Sequence, residues 1–380
     1  MKTESKEKSI REKYTVCGVG NWGANIVKAI NPGLRRRVKT MVVNSDLQSL
    51  ICSNAQVKLQ IGKKTAAGRG TGGDREAGEK AFRESESDIH KSLSGTEVLI
   101  LVTGLGGGLG SAVTPALCRL TDKMGIFTLV LATQPFEFEG KKKAALFGKS
   151  LEEIRKSDSC LIWFNLDRLL GRLDENTPYG EAFQRCDGLL QSALESLIAY
   201  LTAPPPQGGD CALLKNIFSS QGESVLGTHQ ETGSRKLVSI MKGALSNLFL
   251  NVHKLSRVRG CLIQIRSGKA SSIGELRQAI SAVAEMLNEE VHLAFCIEQD
   301  EELGDEVKVN LLIGGVPVEN EEETSSPFLV TMKTDYHPPK QTEMDFAKMT
   351  RGNFSGTEPT VKKGEDLDIP TFIRRGEKLA

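Results

Sequence analysis

Glu97 to Ser111 reads EVLILVTGLGGGLGS, and the fold turns on how this stretch is understood. The apolar and β-branched run Val98, Leu99, Ile100, Leu101, Val102, Thr103 has the character of a strand buried on both faces, as in parallel sheets. It breaks into Gly104, Gly106, Gly107, Gly108 and Gly110, after which Ser111 to Leu120 has helical spacing. A strand, a turn almost without side chains and a helix start together bring bare backbone N–H groups and a positive helix end to a phosphate. The alternative is a flexible hinge, but glycines joining two well-patterned elements are seldom slack.

Working outward, 380 residues with 39% hydrophobic content can bury a large core, and two domains plus extras are expected. The net charge of +1 gives no global argument for a nucleic-acid partner or an anionic membrane. No apolar run approaches the ~20 residues of a membrane span, so direct insertion is not expected. The start, MKTESKEKSIREK, lacks the apolar centre of a signal peptide. The eight cysteines are scattered, mostly in apolar segments and without a CxxC pair, and read as reduced core residues of a cytosolic protein. The five histidines form no ligand cluster, and no metal site is expected from the protein's own side chains.

A second glycine loop lies earlier. Tyr14 to Val19 reads as the first strand, followed by Gly18-Val-Gly20-Asn21-Trp22-Gly23 opening a helix through Ile30. Taken alone this is a GxGxxG, and the next strand, Val38 to Val43, runs into Asn44-Ser45-Asp46 with an acid placed for a ribose. An NAD-type dinucleotide fold is therefore one reading. Against it stand the richer cluster at 104–110 and a third glycine segment, Gly68-Arg-Gly70-Thr71-Gly72-Gly-Asp-Arg-Glu-Ala-Gly78, leading into another helix. Three such loops at successive strand ends suit one mononucleotide whose phosphates are wrapped from several sides.

In this order the motifs resemble the FtsZ family, the bacterial relatives of tubulin. GVGNWGANIV (18–27) is similar to that family's first glycine loop, and NSDLQSL (44–50), GRGTGGDREAG (68–78) and GLGGGLGS (104–111) to its next phosphate and ribose loops. QPFEFEGKKK (134–143), DRLL (167–170), EAFQRCDGLL (181–190), DEELGDEVKV (300–309) and DLDIPTFIRR (366–375) follow in family order, so the resemblance spans nearly the whole chain. It implies GTP or GDP as ligand, with Mg2+ as a candidate companion. The implied contacts are Gly20, Asn21, Trp22, Gly23, Ala24 and Asn25; Asp46; Gly70, Thr71 and Gly72; and Gly106, Gly107, Gly108, Leu109 and Gly110. It assigns Glu139 and Lys143 to the ribose, Phe183 to stacking on guanine and Asp187 to the guanine N–H groups. A carboxylate facing two adjacent N–H donors is chemically what selecting guanine needs. Without the resemblance, Lys141 to Lys143 would be a solvated charge run and Phe183 a core residue. The resemblance further implies a head-to-tail homopolymer forming a cytoplasmic division ring, with a tail that recruits membrane-tethering proteins.

The expected fold class is α/β: a doubly wound parallel-sheet nucleotide-binding domain, a long central helix and a smaller α+β second domain. Gly125 to Thr133 and Ser159 to Phe164 read as further strands flanking a charged helix, Lys142 to Ser157. From Tyr179 to Leu201 apolar residues keep one i, i+3, i+4, i+7 stripe, and about 23 residues at 1.5 Å each span roughly 34 Å, enough to join two lobes. Pro204, Pro205 and Pro206 stop that helix. The divisions are a flexible arm (1–13), the nucleotide-binding domain (14–178), the central helix (179–203), a loop and following helix (204–221) and an α/β domain (222–317). A disordered polar linker (318–363) and a partner-binding tail (364–380) complete the chain. Within 222–317 the expected order is helix, strand, helix, strand, strand, the last two at His292 to Gln299 and Glu306 to Ile313.

The sequence also departs from the family. There, the loop after the central helix carries acids that reach the next subunit's nucleotide and orient the attacking water. Gly208 stands at the usual asparagine and Leu213 at the usual second aspartate, so Asp210 alone keeps its carboxylate. Leu109 replaces a threonine beside the phosphates, Trp22 a glycine, and Leu166 an asparagine that helps hold the base. Two readings result: a divergent GTP-dependent filament former with weakened hydrolysis, or a pseudo-GTPase that co-assembles with or regulates another filament.

Overall fold

Strands and helices alternate through the first half of the chain. They are β1 (Tyr14–Val19), α1 (Gly20–Ala29), α2 (Pro32–Arg35), β2 (Lys39–Asn44), α3 (Leu47–Cys52), β3 (Val57–Gln60), α4 (Arg75–Ser92) and β4 (Val98–Gly104). There follow α5 (Gly108–Met124), β5 (Phe127–Gln134), α6 (Lys141–Ile154), β6 (Cys160–Asn165), α7 (Leu166–Leu170) and the long α8 (Tyr179–Thr202). The computed structural model describes residues 13–316 except 172, 175, 205–207, 219–221, 233–236, 248–257, 269–271 and 288–290, together with 361–362 and 365–366.

The first six strands form one sheet in the order β3-β2-β1-β4-β5-β6, with every pair parallel. β1 and β4 lie side by side, yet the chain leaves β1 toward β2 on one side and β4 toward β5 on the other. That divergence opens a crevice beyond the carboxyl ends of β1 and β4, and it brings the glycine loops that follow them together.

β4 is buried from Val98 to Thr103 because both faces are covered. Ile100 and Val102 join a cluster with Ala24, Ile26 and Val27 of α1, whereas Leu99 and Leu101 join one with Ala81 of α4, Leu117 of α5 and Leu151 of α6. Alternate residues thus enter opposite cores, the period-2 consequence of the pleat.

The second half contains α9 (Cys211–Phe218), β7 (Glu223–Thr232), α10 (Leu237–Ser246), β8 (Gly260–Ser267), α11 (Ile273–Leu287), β9 (His292–Gln299) and β10 (Glu306–Val316). Its sheet runs β7-β10-β8-β9, with β10 antiparallel to β7 and β8, and β8 parallel to β9. β7 was not among the expected strands. Its outer part, HQET, alternates weakly, and its place beside β10 is what makes it a strand.

Between the two sheets runs α8, in contact with all four strands of the second sheet and with α1. It starts after Pro178 and ends at Thr202, two residues before Pro204. Every residue from Ala193 to Leu201 is buried, Glu195 and Ser196 included. Glu195 is satisfied by the Asn31 backbone N–H and the Gln191 amide, both at 2.9 Å. Ser196, Gln264 of β8 and Asn310 of β10 form a buried polar cluster with contacts of 2.7 to 3.2 Å.

The described residues up to 316 belong to one compact unit, and residues 361–362 and 365–366 belong to a second. Of the second unit only a short antiparallel pairing is described, Val361–Lys362 with Glu365–Asp366. The expected N-terminal arm, and the linker and tail apart from these four residues, lie outside the described residues. No helix among the described residues is long and apolar enough to cross a membrane.

Candidate functional site

The crevice beyond β1 and β4 is a cavity of about 560 Å³, within the range of small-molecule sites. Its floor is made by the two glycine loops. α1 begins at Gly20 (φ 74°) and α5 follows Gly107, and neither helix has a side-chain N-cap. Their first N–H groups are therefore left to whatever enters, on the positive side of each helix dipole.

The glycines divide by purpose. A Cβ on Gly107 would meet nothing within 4 Å, so that residue leaves open space in the cavity. A Cβ on Gly110 would stand 2.2 Å from the Gly104 carbonyl oxygen, and one on Gly23 would stand 2.2 Å from that of Val102. Those two exist so that helix and strand can approach. Gly106 donates its N–H to Ser111 Oγ at 2.7 Å, which folds the loop onto the helix.

The third loop closes the cavity from the side. Gly70, Gly72 and Gly73 all have positive φ, of 81°, 58° and 80°, and Asp74 then caps α4 by accepting from the Glu76 N–H at 2.8 Å. Asp46, expected at a ribose, has its Oδ1 on the Gln48 N–H at 2.9 Å as the cap of α3, while its Oδ2 accepts from Asn21 Nδ2 at 3.3 Å. Asn21 in turn accepts from Asn44 Nδ2 at 2.7 Å. The first loop and the end of β2 are thereby held as one wall.

The opposite wall is aromatic. Phe136 stacks on Phe138 at 4.9 Å between centroids and meets Phe183 edge-on at 5.1 Å. Below them Glu139 binds Lys143 and accepts from the Phe136 N–H, and Asp167 accepts from the Glu137 N–H at 3.0 Å. Burial, with Glu137 and Glu139 nearby, pushes the Asp167 carboxyl up to about 6.

At the back, Asp187 of α8 accepts a hydrogen bond from the Trp22 indole Nε1 at 3.0 Å. Burial raises the Asp187 pKa and the Trp22 bond works against that rise.

Two domain descriptions match the chain: the Tubulin/FtsZ family GTPase domain over residues 13–174, and the FtsZ family C-terminal domain over residues 222–317. The chain belongs to the tubulin/FtsZ family. A point mutant of FtsZ from M. jannaschii is 27% identical, with 83% of this chain and 94% of that chain covered and a TM-score of 0.71. An FtsZ dimer from the same organism is 25% identical, covering 86% and 98%, also at 0.71. The GTPγS-bound protofilament of CetZ2 from Haloferax volcanii shares the fold at 20% identity, with 81% and 94% covered and a TM-score of 0.67.

Within this FtsZ-type fold, the cavity gathers Gly20, Asn21, Trp22, Asp46, Gly70, Thr71, Gly72, Gly107, Gly108, Leu109, Gly110, Glu139, Lys143, Phe183 and Asp187. Gly23, Ala24, Asn25 and Gly106 do not form its wall: Ala24 is in the core, and Asn25 borders a neighbouring surface hollow. Asp210 is also outside it, exposed, with its Oδ1 accepting the Leu213 N–H at 3.0 Å at the start of α9. Sequence reasoning missed Ser45, Arg69 and Thr133 as wall residues. Ser45 is buried, and among the described residues its Oγ has no hydrogen-bond partner. Its position directly after a strand end, inside a stretch already matched to the family, was the available signal.

The wall carboxylates Asp46 and Glu139 are already committed to a helix cap and a lysine. They are not free as a metal cage, so a Mg2+ arriving with a nucleotide would take phosphate oxygens and water.

Proposed function

We propose that this protein binds GTP and GDP in the cavity and assembles head to tail, with slow hydrolysis at the subunit junctions. The observation that carries this reading is the convergence of three glycine loops, two of them at uncapped helix starts, with an aromatic wall and a half-buried carboxylate. The backbone N–H groups suit phosphate oxygens, Phe183 suits the face of a base, and Asp187 suits adjacent N–H donors. The relatives described as a dimer and a protofilament support self-association.

Hydrolysis requires that Asp210 of one subunit reach the nucleotide of the next and orient water for attack on the terminal phosphorus. Leu213 neither accepts a proton nor polarises water, and it is half-buried against the main core. The general-base contribution, typically about 10²- to 10⁴-fold, is accordingly reduced. A role in a cytoplasmic division ring, with residues 366–375 recruiting membrane-tethering proteins, extends the same reading.

The second reading, a pseudo-GTPase that co-assembles with or regulates another filament, is favoured by one observation: the Asp187 carboxylate is already bonded by Trp22. A competition titration tests the site. GTP and GDP should bind at least about tenfold tighter than ATP or NADH, since an unpaired buried polar group costs roughly 1–3 kcal/mol. Asp187→Ala should erase the preference. Equal binding of ATP, or tight binding of NADH, would overturn the guanine assignment. Sedimentation with GTP, GDP or no nucleotide, with phosphate release followed in parallel, separates the filament former from the pseudo-GTPase.

A further inference from the structure

We propose that Trp22 is an internal occupant of the base subsite, its indole N–H holding the Asp187 oxygen that guanine would take, so that nucleotide enters by displacing it. This rests on Asp187 being the guanine acceptor.

The geometry places the indole across the back of the cavity. Trp22 is the third residue of α1, and a Cβ built on Gly104 would lie 3.7 Å from both Trp22 Cβ and its ring atom Cε3. The ring therefore lies over the end of β4, and from there its Nε1 reaches 3.0 Å from Asp187 Oδ1 on α8. Trp22, Leu166, Phe183 and Asp187 line the same cavity.

The chemistry of the substitution is close. An indole ring nitrogen donates and cannot accept, as does the protonated ring nitrogen of guanine. Among the described residues Asp187 makes no ion pair, and the indole is its single side-chain donor. A half-buried carboxylate without a donor is costly, so the ligand-free protein gains by supplying one. Guanine meets Asp187 with both its N–H groups only after the indole has left. The residue thus sets affinity at this site: a ring N–H must be given up before two are gained. A glycine here would leave the carboxylate open.

The protein carries a built-in reporter, because its two tryptophans are Trp22 and Trp163. Trp163 is buried against Phe147, and among the described residues its Nε1 has no partner, so Trp163→Phe removes no hydrogen bond. In that background, titration with GDP should shift Trp22 emission to the red and increase its quenching by acrylamide, saturating with the binding curve. Trp22→Phe, which keeps a ring and loses the N–H, should bind GDP roughly tenfold tighter, the scale of a hydrogen bond to a charged group. Trp22→Ala should also bind tighter.

Unchanged emission during saturable GDP binding, with equal affinities in all variants, would overturn the displacement and leave the guanine site standing. Weaker binding by Trp22→Phe would make the indole a nucleotide contact and overturn it as well. Failure of GDP to bind any of these folded proteins would overturn the guanine reading itself, and the displacement with it.

Discussion

On the proposed reading, Leu213 is where one side chain decides between chemistry and packing. It lies in the first turn of α9, half-buried against the main core, and its backbone N–H is the group that Asp210 caps. Leu213→Asp should raise phosphate release by about an order of magnitude, only above the assembly concentration, because a restored carboxylate contributes a base. The same change removes an apolar contact and should lower stability by about 1 kcal/mol or more, read by denaturant unfolding. A variant that assembles with no gain in turnover would move the defect to Leu109 or Trp22 in the nucleotide cavity. Gly208 is not a simple site for repair: a Cβ there would stand 2.2 Å from the Tyr200 carbonyl oxygen. An asparagine at 208 would have to move the loop before it could serve.

At the scale of elements, α5 shows how a helix is fitted to its task. Pro115 lies inside it and cannot donate to the Ser111 carbonyl, a defect that would ordinarily kink or break a helix. The Ser150 hydroxyl of α6 lies 3.1 Å from that carbonyl and offers it a donor from outside, shared with the Leu146 carbonyl of its own helix at 2.7 Å. The start of the helix then depends on two kinds of glycine. Gly110→Ala should destabilise folding by about 1–3 kcal/mol, because its Cβ has no room against Gly104. Gly107→Ala meets nothing in the protein and should leave stability within about 0.5 kcal/mol. It should nevertheless weaken nucleotide binding, since a methyl group would stand where phosphate approaches the backbone. Unfolding and binding measured on both variants separate the roles, and equal destabilisation by the two would contradict this division.

Across the whole molecule, α8 acts as the shared wall between the two sheets. Its apolar residues join the same cluster as Ile100 of β4 and Leu262 and Leu312 of the second sheet, so the two lobes share one core. The Ser196, Gln264 and Asn310 cluster pins this junction, and Gln264 extends it to Glu298 at 3.0 Å. Gln264→Leu should strip from Asn310 Nδ2 its nearer acceptor, leaving Ser196 Oγ at 3.2 Å, and from Glu298 one of its partners, with Arg37 still at 2.7 Å. The expected cost is roughly 1–3 kcal/mol, seen as a lower denaturation midpoint. Because the core is continuous, both lobes should still unfold in one transition. Two separated transitions in the unaltered protein would show that α8 does not couple them.

Much of this architecture is legible in sequence because the signals are local. The buried strand 98–103, the glycine breaks, the start of the long helix at Tyr179 and its end before Pro204 follow from periodicity and backbone sterics. The sequence by itself determined the alternation of strands and helices and the three loops, and it places Trp22, Gly208 and Leu213 where the family resemblance implies other residues. Tertiary structure decided what depends on neighbours distant in the chain. β7 is a strand because β10 pairs with it, and α8 is buried on every side from 193 to 201 because two sheets close on it, whereas its spacing announced a single stripe. Only the folded chain brings Trp22 to Asp187 across a separation of 165 residues, since no local rule relates the start of one helix to a carboxylate on another.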